Sequence, residues 1–508
     1  MASNIPSTTT PLDQIAPTST DVELAVLPIS NERPPSKEDD PFLVAFNPTY
    51  DADNPKDWPS SRKWAVTDVL SATGFNRIMV STIMAPALGT IARELHMSTA
   101  ESVMAMSIYL LATAFGPLVI GPLSEVYGRT WVLHVSNVWF LVWNIACGFA
   151  NTKELLIGAR FLAGFGASAI YALSGGVLGD VWRPEQRGKS LGKYLLIPVL
   201  GAAVGPIIGG FMAGRTTWRW MFWSTSIFQA VMALVSFSAF HESYEPLILR
   251  RRAEKLRKDT GDSRYYTVHE RFVQNISIPK LLGRTISRPM RLLIFHPIIQ
   301  IMSLIEAFFY GLLYIMLSSF SDMWIQHYGV SVELSGLHYL AIALGEMAGA
   351  QLGGMWMDRY YRRKAARHPG REATPEDRIP PFASIWRIIP TLGLIWYGWT
   401  IQYRVHWAVV DVAMFLMMFG MQIAGMNLSA YVIDAYPEHT SSATAASQFL
   451  RSLTAFLFPL FTPAMYGRLG YGWGNTMLAF AGLLIGVPAP LLVWKYGARL
   501  RAKAASSW

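Results

Sequence analysis

Apolar runs of about 20 residues recur along the whole chain, each long enough to cross the hydrocarbon of a bilayer. In hydrocarbon a backbone amide finds no water, so a spanning segment must bond to itself as a helix. These runs lack the apolar/polar alternation of a barrel strand. Twelve spans are expected, near 65–88, 102–123, 131–150, 155–178, 190–212, 220–240, 297–319, 335–357, 384–403, 407–430, 442–466 and 475–496. Composition supports the same reading, because 52% of the 508 residues are hydrophobic and only 15% are charged. A soluble domain carries about 25% charge. The fold expected is an all-α polytopic membrane protein of two six-helix bundles.

Lys and Arg orient it. Of the 43, 31 fall in the N-terminal tail, the even-numbered loops and the C-terminal end, and six on the opposite side. The remaining six, Arg77, Arg160, Lys193, Arg387, Arg451 and Lys495, lie inside spans. That bias puts both termini in the cytosol. The net charge of +9 is thus a topology signal carried by short loops, and a nucleic-acid partner is not expected. The organisation expected is a disordered cytosolic tail at 1–62, a six-helix bundle at 63–240, a basic cytosolic linker at 241–296, a second bundle at 297–497 and a tail at 498–508. In the linker, Leu249, Ala253 and Leu256 are spaced for one face of a short helix, suited to anionic headgroups or to a regulatory partner.

The chain repeats itself. Gly121-Pro-Leu-Ser-Glu125-Val-Tyr-Gly128-Arg129 and Gly354-Met-Trp-Met-Asp358-Arg-Tyr-Tyr-Arg362 stand in the same register, each just after the second span of its half. A Gly there lets helices approach, the acid can pair with bases, and the Arg closes the turn at the membrane surface. Two parallel halves of this kind bind substrate near the midplane between them. In the fifth span Gly201, Gly205 and Gly209 fall at i, i+4 and i+8, a stripe without side chains for close packing, with Pro206 as a kink point and Gly210 beside it.

The first of these segments resembles the loop motif of the major facilitator superfamily, with Glu125 where many members carry Asp and Thr130 where a second basic residue is usual. Arg160 with Gly164 is similar to that family's Arg-x-x-x-Gly helix. Gly201 through Gly210 resembles its antiporter signature. Asn54-Pro55, Trp218-Arg219-Trp220, Glu242-Ser-Tyr-Glu-Pro246 and Tyr431-Val-Ile-Asp434-Ala-Tyr436 are similar to the fungal twelve-helix drug:proton antiporters, while His296-Pro297 departs from their usual Glu-Pro. The resemblance covers roughly 50–497. It implies a proton-coupled antiporter that exports an amphiphilic organic compound by alternating access. A polyamine or other organic cation is the alternative cargo, and a non-transporting membrane sensor is the competing class. The partners implied are a small-molecule substrate, protons and the bilayer. The chain is read as a monomer in the cell membrane, with the vacuolar membrane as the other location.

Ionisable residues inside spans need a reason, since each costs about 2.5–3.5 kcal/mol on insertion scales. A buried carboxyl can bind and release protons near physiological pH, as coupling requires. Glu346 and Glu306 are therefore the coupling candidates, with structural pairing to an intramembrane Arg (Arg77, Arg160 or Arg451) as the competing role. Phe308, Phe309, Tyr310 and Tyr314 form a candidate aromatic wall for cargo, or ordinary packing. Enzyme chemistry has little support. Gly188-Lys189-Ser190 lacks the first Gly of a P-loop, where Arg183 stands, and there is no clustered Cys/His set, so neither cofactor nor metal is expected. The single Cys147 excludes an intramolecular disulfide.

Overall fold

The computed structural model describes residues 40–47, 49–273, 278–367, 383–436 and 440–505. The first half runs through α1 (Ser60–Thr82), a short α2 (Leu88–Glu94), α3 (Thr99–Tyr127), α4 (Arg129–Gly148), α5 (Lys153–Ala167), α6 (Ala169–Val181), α7 (Pro184–Arg215) and α8 (Arg219–Ala239). Local chemistry sets the ends. Ser98 and Glu101 form a reciprocal capping box that starts α3, and Thr152 accepts from the Leu155 amide to start α5. The first crossing stops earlier than expected, because Pro86 sits in a 3-10 turn (Ala85–Ala87) and cannot continue the helical ladder. The fourth crossing is broken at Ser168 into α5 and α6.

Three helices of the linker follow: α9 (Glu245–Thr260), α10 (Val268–Val273) and α11 (Ile278–Phe295). The second half comprises α12 (Pro297–Asp322), α13 (Val332–Leu337), α14 (Tyr339–Arg367), α15 (Ala383–Gln402), α16 (Trp407–Ala435), α17 (Thr440–Gly486) and α18 (Pro488–Ala505). Gly470, at φ 71°, folds α17 back on itself, and the Tyr466 hydroxyl then donates to Asn475 Oδ1 at 2.9 Å. The first limb is the eleventh crossing, and the second limb continued by α18 makes the twelfth.

Among the described residues, eight segments are apolar and long enough by themselves to cross a membrane, and one of them, Ser442–Gly497, contains the Gly470 reversal. The remaining crossings are α1, α14 and α15. Each carries an ionisable side chain, Arg77, Glu346 and Arg387 respectively, which explains their polarity. The molecule is all-α, with twelve crossings in two sets of six.

One expectation is corrected. The polar tail is expected to be disordered through residue 62, but residues 40–47 and 49–58 form a strap laid on the linker; residues 1–39 lie outside the described ones. Leu43 pairs with Tyr266 in an isolated bridge, with Val44 N donating to Tyr266 O at 2.9 Å. The Asp51 carboxylate accepts from the Asn47 and Asp53 amides at 3.1 Å each and from Arg252 of α9 at 2.7 Å. Burial pushes the Asp51 carboxyl up, but Arg252 and the two amides outweigh it and hold it below the usual carboxylate range. Polar composition suggested disorder; specific charge pairing across 201 residues overrides it. The expected linker helix is present as α9, yet Arg252 and Arg257 are tied to Asp51 and Glu270.

Candidate functional site

At the end of the bundle that carries the termini, the turn between α3 and α4 is built on Gly128, whose φ of +96° suits a residue without a side chain. A Cβ there would also strike Glu242 and Leu247. Glu242 caps α4, accepting from the Arg129 and Thr130 amides at 3.0 and 3.3 Å. The Arg129 side chain crosses to α6. Its Nε lies 3.4 Å from Asp180, its Nη1 donates to Ser124 Oγ, and its guanidinium sits 4.9 Å over the Tyr244 ring. Gly176 of α6 makes the room, since a Cβ there would lie 2.8 Å from the guanidinium carbon. Glu125 is within electrostatic range of Arg129 and of Arg288 on α11. Gly121 has open space around it. Of the repeat partners, Gly354 is half-buried on α14, whereas the side chains of Asp358 and Arg362 lie outside the described ones.

The glycine stripe of α7 lies against the backbone of α1. A Cβ on Gly201 would be 2.6 Å from the Phe75 carbonyl oxygen, and one on Gly205 2.6 Å from that of Met79. Gly209 abuts the Ile83 carbonyl in the same way, and Gly210 faces the Val332 carbonyl of α13. Pro206 approaches the other half, its carbonyl oxygen 2.6 Å from where a Gly336 Cβ would stand. In α14, Gly345 and Gly349 sit against the Phe415 and Phe419 carbonyls of α16, and Gly353 against Ile423.

The middle of the molecule gathers arginines and tyrosines from both halves. Arg77 of α1 donates to the Ala167 carbonyl at 3.3 Å and to Asn137 Oδ1, and its own carbonyl accepts from the Tyr109 hydroxyl at 2.8 Å. Arg160 of α5 donates to the carbonyls of Val80, Ala105 and Met106 at 2.9, 3.3 and 3.2 Å, with Tyr109 4.5 Å beneath its guanidinium. From the second half, Arg451 of α17 lies 4.4 Å over the Tyr310 ring of α12. Tyr310 in turn packs on Tyr314 at 5.2 Å, and the Tyr314 hydroxyl is 3.5 Å from Ser81 Oγ of α1. Tyr171 of α6 feels Tyr310, Tyr109, Arg451 and Tyr194. Tyr171, Tyr310 and Arg451 are partly exposed, while Arg77, Arg160, Tyr109, Tyr194 and Tyr314 are buried.

The aromatic wall therefore divides. Tyr310 and Tyr314 face this junction, but Phe308 packs on Phe458 at 5.8 Å and Phe309 lies 4.7 Å from the Arg387 guanidinium, both inside the second half. A helix turns about 100° per residue, so adjacent aromatics cannot share a face. The two acids also part company. Glu306 lies within electrostatic reach of Arg387, which is buried and donates to the Ala424 carbonyl at 3.2 Å. Arg387, near the start of the ninth span, is buried on α15. Glu346 lies on the stripe that holds Tyr339, Ile342, Gly349 and Gly353, and it has no hydrogen-bond or ion-pair partner among the described residues.

Sequence reasoning missed Asp180, Asn137, Arg387 and the tyrosines 109, 171 and 194. A signal existed only for Arg387 and Asp180, as ionisable residues at the edges of apolar runs; a lone Tyr in such a run looks like core.

Residues 70–459 match the pattern described as Major Facilitator Superfamily. The chain is similar to "Probable efflux pump mfs2" of Aspergillus flavus, at 55% identity over 84% of this chain and 100% of that protein. It is similar to "Efflux pump vrtL" of Penicillium aethiopicum, at 40% identity over 95% of each. Among solved structures, the partially occluded inward-open xylose transporter XylE from E. coli superposes with a TM-score of 0.61, covering 86% of this chain and 98% of that one at 15% identity, a likeness of fold.

Proposed function

We propose, from the premise that the chain belongs to the major facilitator superfamily and to its fungal efflux branch, that it is a proton-coupled antiporter exporting an amphiphilic organic compound. It is a membrane transporter, not an enzyme. The cargo is a xenobiotic or a secondary metabolite of the cell. Export proceeds by alternating access, with the bundles at 63–240 and 297–497 rocking about a midplane site. The membrane is the plasma membrane and both termini face the cytosol.

The observation that carries this reading is the junction of partly exposed Tyr171, Tyr310 and Arg451, which draws on both halves at mid-bundle. A site built that way changes shape whenever the halves move against each other. The Arg129–Asp180 contact stabilises the cytosolic turn in one arrangement of the first half. Glu346 is the proton carrier in this scheme. Glu306 has Arg387 for a counter-charge and would have to break that attraction to take a proton, whereas Glu346 has no such partner among the described residues.

Reconstituted vesicles with an imposed pH gradient, tested with a panel of amphiphilic compounds, decide the matter. The wild-type chain accumulates cargo against its gradient. Glu346→Gln keeps the shape of a protonated acid, so it still binds cargo but loses uphill accumulation. Gradient-driven accumulation retained by that variant would remove Glu346 from the coupling step. A wild-type chain that moves no compound under any pH gradient sinks the antiport reading itself.

A further inference from the structure

Charge at the centre of the molecule is one-sided. Three guanidinium groups, Arg77, Arg160 and Arg451, converge on five tyrosines, 109, 171, 194, 310 and 314. Among the described residues no carboxylate forms a hydrogen bond or ion pair with any of the three arginines. Glu306 lies one turn before Tyr310 but has Arg387 as its own counter-charge. The Nη atoms of Arg77 and the guanidinium of Arg160 donate to carbonyl oxygens and Asn137, which fix both side chains in the first half, while the Arg77 Nε is buried without a partner among the described residues. Arg451 is different. Its guanidinium has a tyrosine ring beneath it and no hydrogen-bond or ion-pair partner among the described residues, and it lies within electrostatic range of Tyr171 of the first half.

The geometry points to an aromatic organic anion as the cargo, its acidic group docked on Arg451 and its ring packed against Tyr171. This rests on the export reading and narrows its substrate class. An Arg offers up to five N–H donors and no acceptor, in a planar fork that matches a carboxylate or sulfonate. The tyrosine hydroxyls add donors to the same oxygens. A positive charge left uncompensated in a low-dielectric interior is costly, and a bound anion relieves that cost. An aromatic cation fits worse on two counts. It would be repelled by three guanidinium groups, and the Tyr310 face that could hold it already carries Arg451 at 4.4 Å.

Binding to the purified full chain is measured calorimetrically with three probes of one shape: 2-naphthalenesulfonate, neutral 2-naphthamide and a 2-naphthylmethyl trimethylammonium ion. Wild type should favour the sulfonate over the ammonium by about ten-fold or more, the factor that one charge-assisted contact supplies. Arg451→Gln should lower the sulfonate-to-naphthamide affinity ratio by about ten-fold, and Arg451→Lys should restore part of it. The neutral probe reports whether the variant still folds around the site. Should Arg451→Gln fail to fold, the wild-type sulfonate-to-ammonium ratio and the Lys variant carry the decision. Preference of wild type for the ammonium ion, or an unchanged ratio in Arg451→Gln, overturns the assignment. Gradient-driven transport of the two charged probes separates this from the antiport reading: export of the ammonium with exclusion of the sulfonate refutes only the substrate class, whereas movement of neither counts against both.

Discussion

Two alanine substitutions on one helix should move stability in opposite directions. At Gly205 a Cβ would stand 2.6 Å from the Met79 carbonyl oxygen and 2.7 Å from Thr82 Oγ1. A relaxed carbon–oxygen contact is about 3.3–3.6 Å, so α7 and α1 must separate by roughly 0.7–1.0 Å. That displacement takes Thr82 Oγ1, which donates to the Ala202 carbonyl at 3.0 Å, beyond hydrogen-bond range. Overpacking costs about 1–3 kcal/mol and the lost bond about 0.5–1.5 kcal/mol, against a gain of about 1 kcal/mol in helix propensity. Gly205→Ala therefore destabilises by about 0.5–3.5 kcal/mol. Gly192, on the same helix, has nothing within 4 Å of its Cβ position, so Gly192→Ala keeps the propensity gain alone. Thermal unfolding of the detergent-purified variants, read beside transport in vesicles, tests both. Gly205→Leu should transport nothing. A Gly205→Ala chain that melts at or above the wild-type temperature would refute the close packing of α7 on α1.

Arg129→Ala should slow transport by roughly 5- to 30-fold, the scale of about 1–2 kcal/mol for one charge-assisted contact, with surface abundance unchanged. Initial rates normalised to surface protein check it, and wild-type turnover would dismiss the gating role. Asp51→Asn should raise amide exchange across residues 42–58 and 245–260 about ten-fold while leaving the crossings untouched. Because the folded Asp51 carboxyl titrates below its unfolded value of about 3.9, the strap's tie is complete above that pH and is lost only as pH falls through the lower, folded value. Intrinsic fluorescence near Trp58 between pH 7 and pH 3 follows the release; a strap that loosens already near pH 6 contradicts the assignment.

Much of this was legible in the chain. Helical crossings follow from the length of apolar runs, and the α7 stripe follows from spacing, because bilayer thickness and helix pitch are fixed by physics alone. What stayed hidden depended on tertiary choice. Glu242 and Arg129 are 113 residues apart, and nothing local says that one caps the helix the other begins. Arg387 sat just inside a span that follows a charged loop, and only the packing of α16, whose Ala424 carbonyl receives it, decides that it is buried. The aromatic run 308–310 looked like one wall because composition does not register rotation about the helix axis. The tyrosines 109, 171 and 194 gave no signal at all, since their role comes from the arginines they meet and not from their neighbours in sequence.

Magnitude also decides which contact holds the far end of the bundle shut. There α7 and α13 meet in two ways. Arg215 Nε lies 3.2 Å from Glu333 Oε1, but the Arg215 side chain is 70% exposed, and such pairs contribute about 0–1 kcal/mol. The second contact is backbone on backbone. A Gly336 Cβ would stand 2.6 Å from the Pro206 carbonyl oxygen and 3.0 Å from Ile207 Cα, and a Gly210 Cβ 2.8 Å from the Val332 carbonyl oxygen. Neither can relax by rotating a side chain, so bulk at these points forces the helices apart. On the proposed cycle this is the outer gate. Arg215→Ala should change transport by less than about two-fold, in keeping with an exposed pair. Gly336→Leu should cut it by more than about ten-fold and leave the outer face open, since overpacking of about 1–3 kcal/mol falls on the closed state alone. An Ala213→Cys reporter, labelled from outside by an impermeant thiol reagent, reads the gate directly. Faster labelling is expected on the Gly336→Leu background and not on the Arg215→Ala background; the reverse order would mean that charge, not glycine contact, closes the outer side.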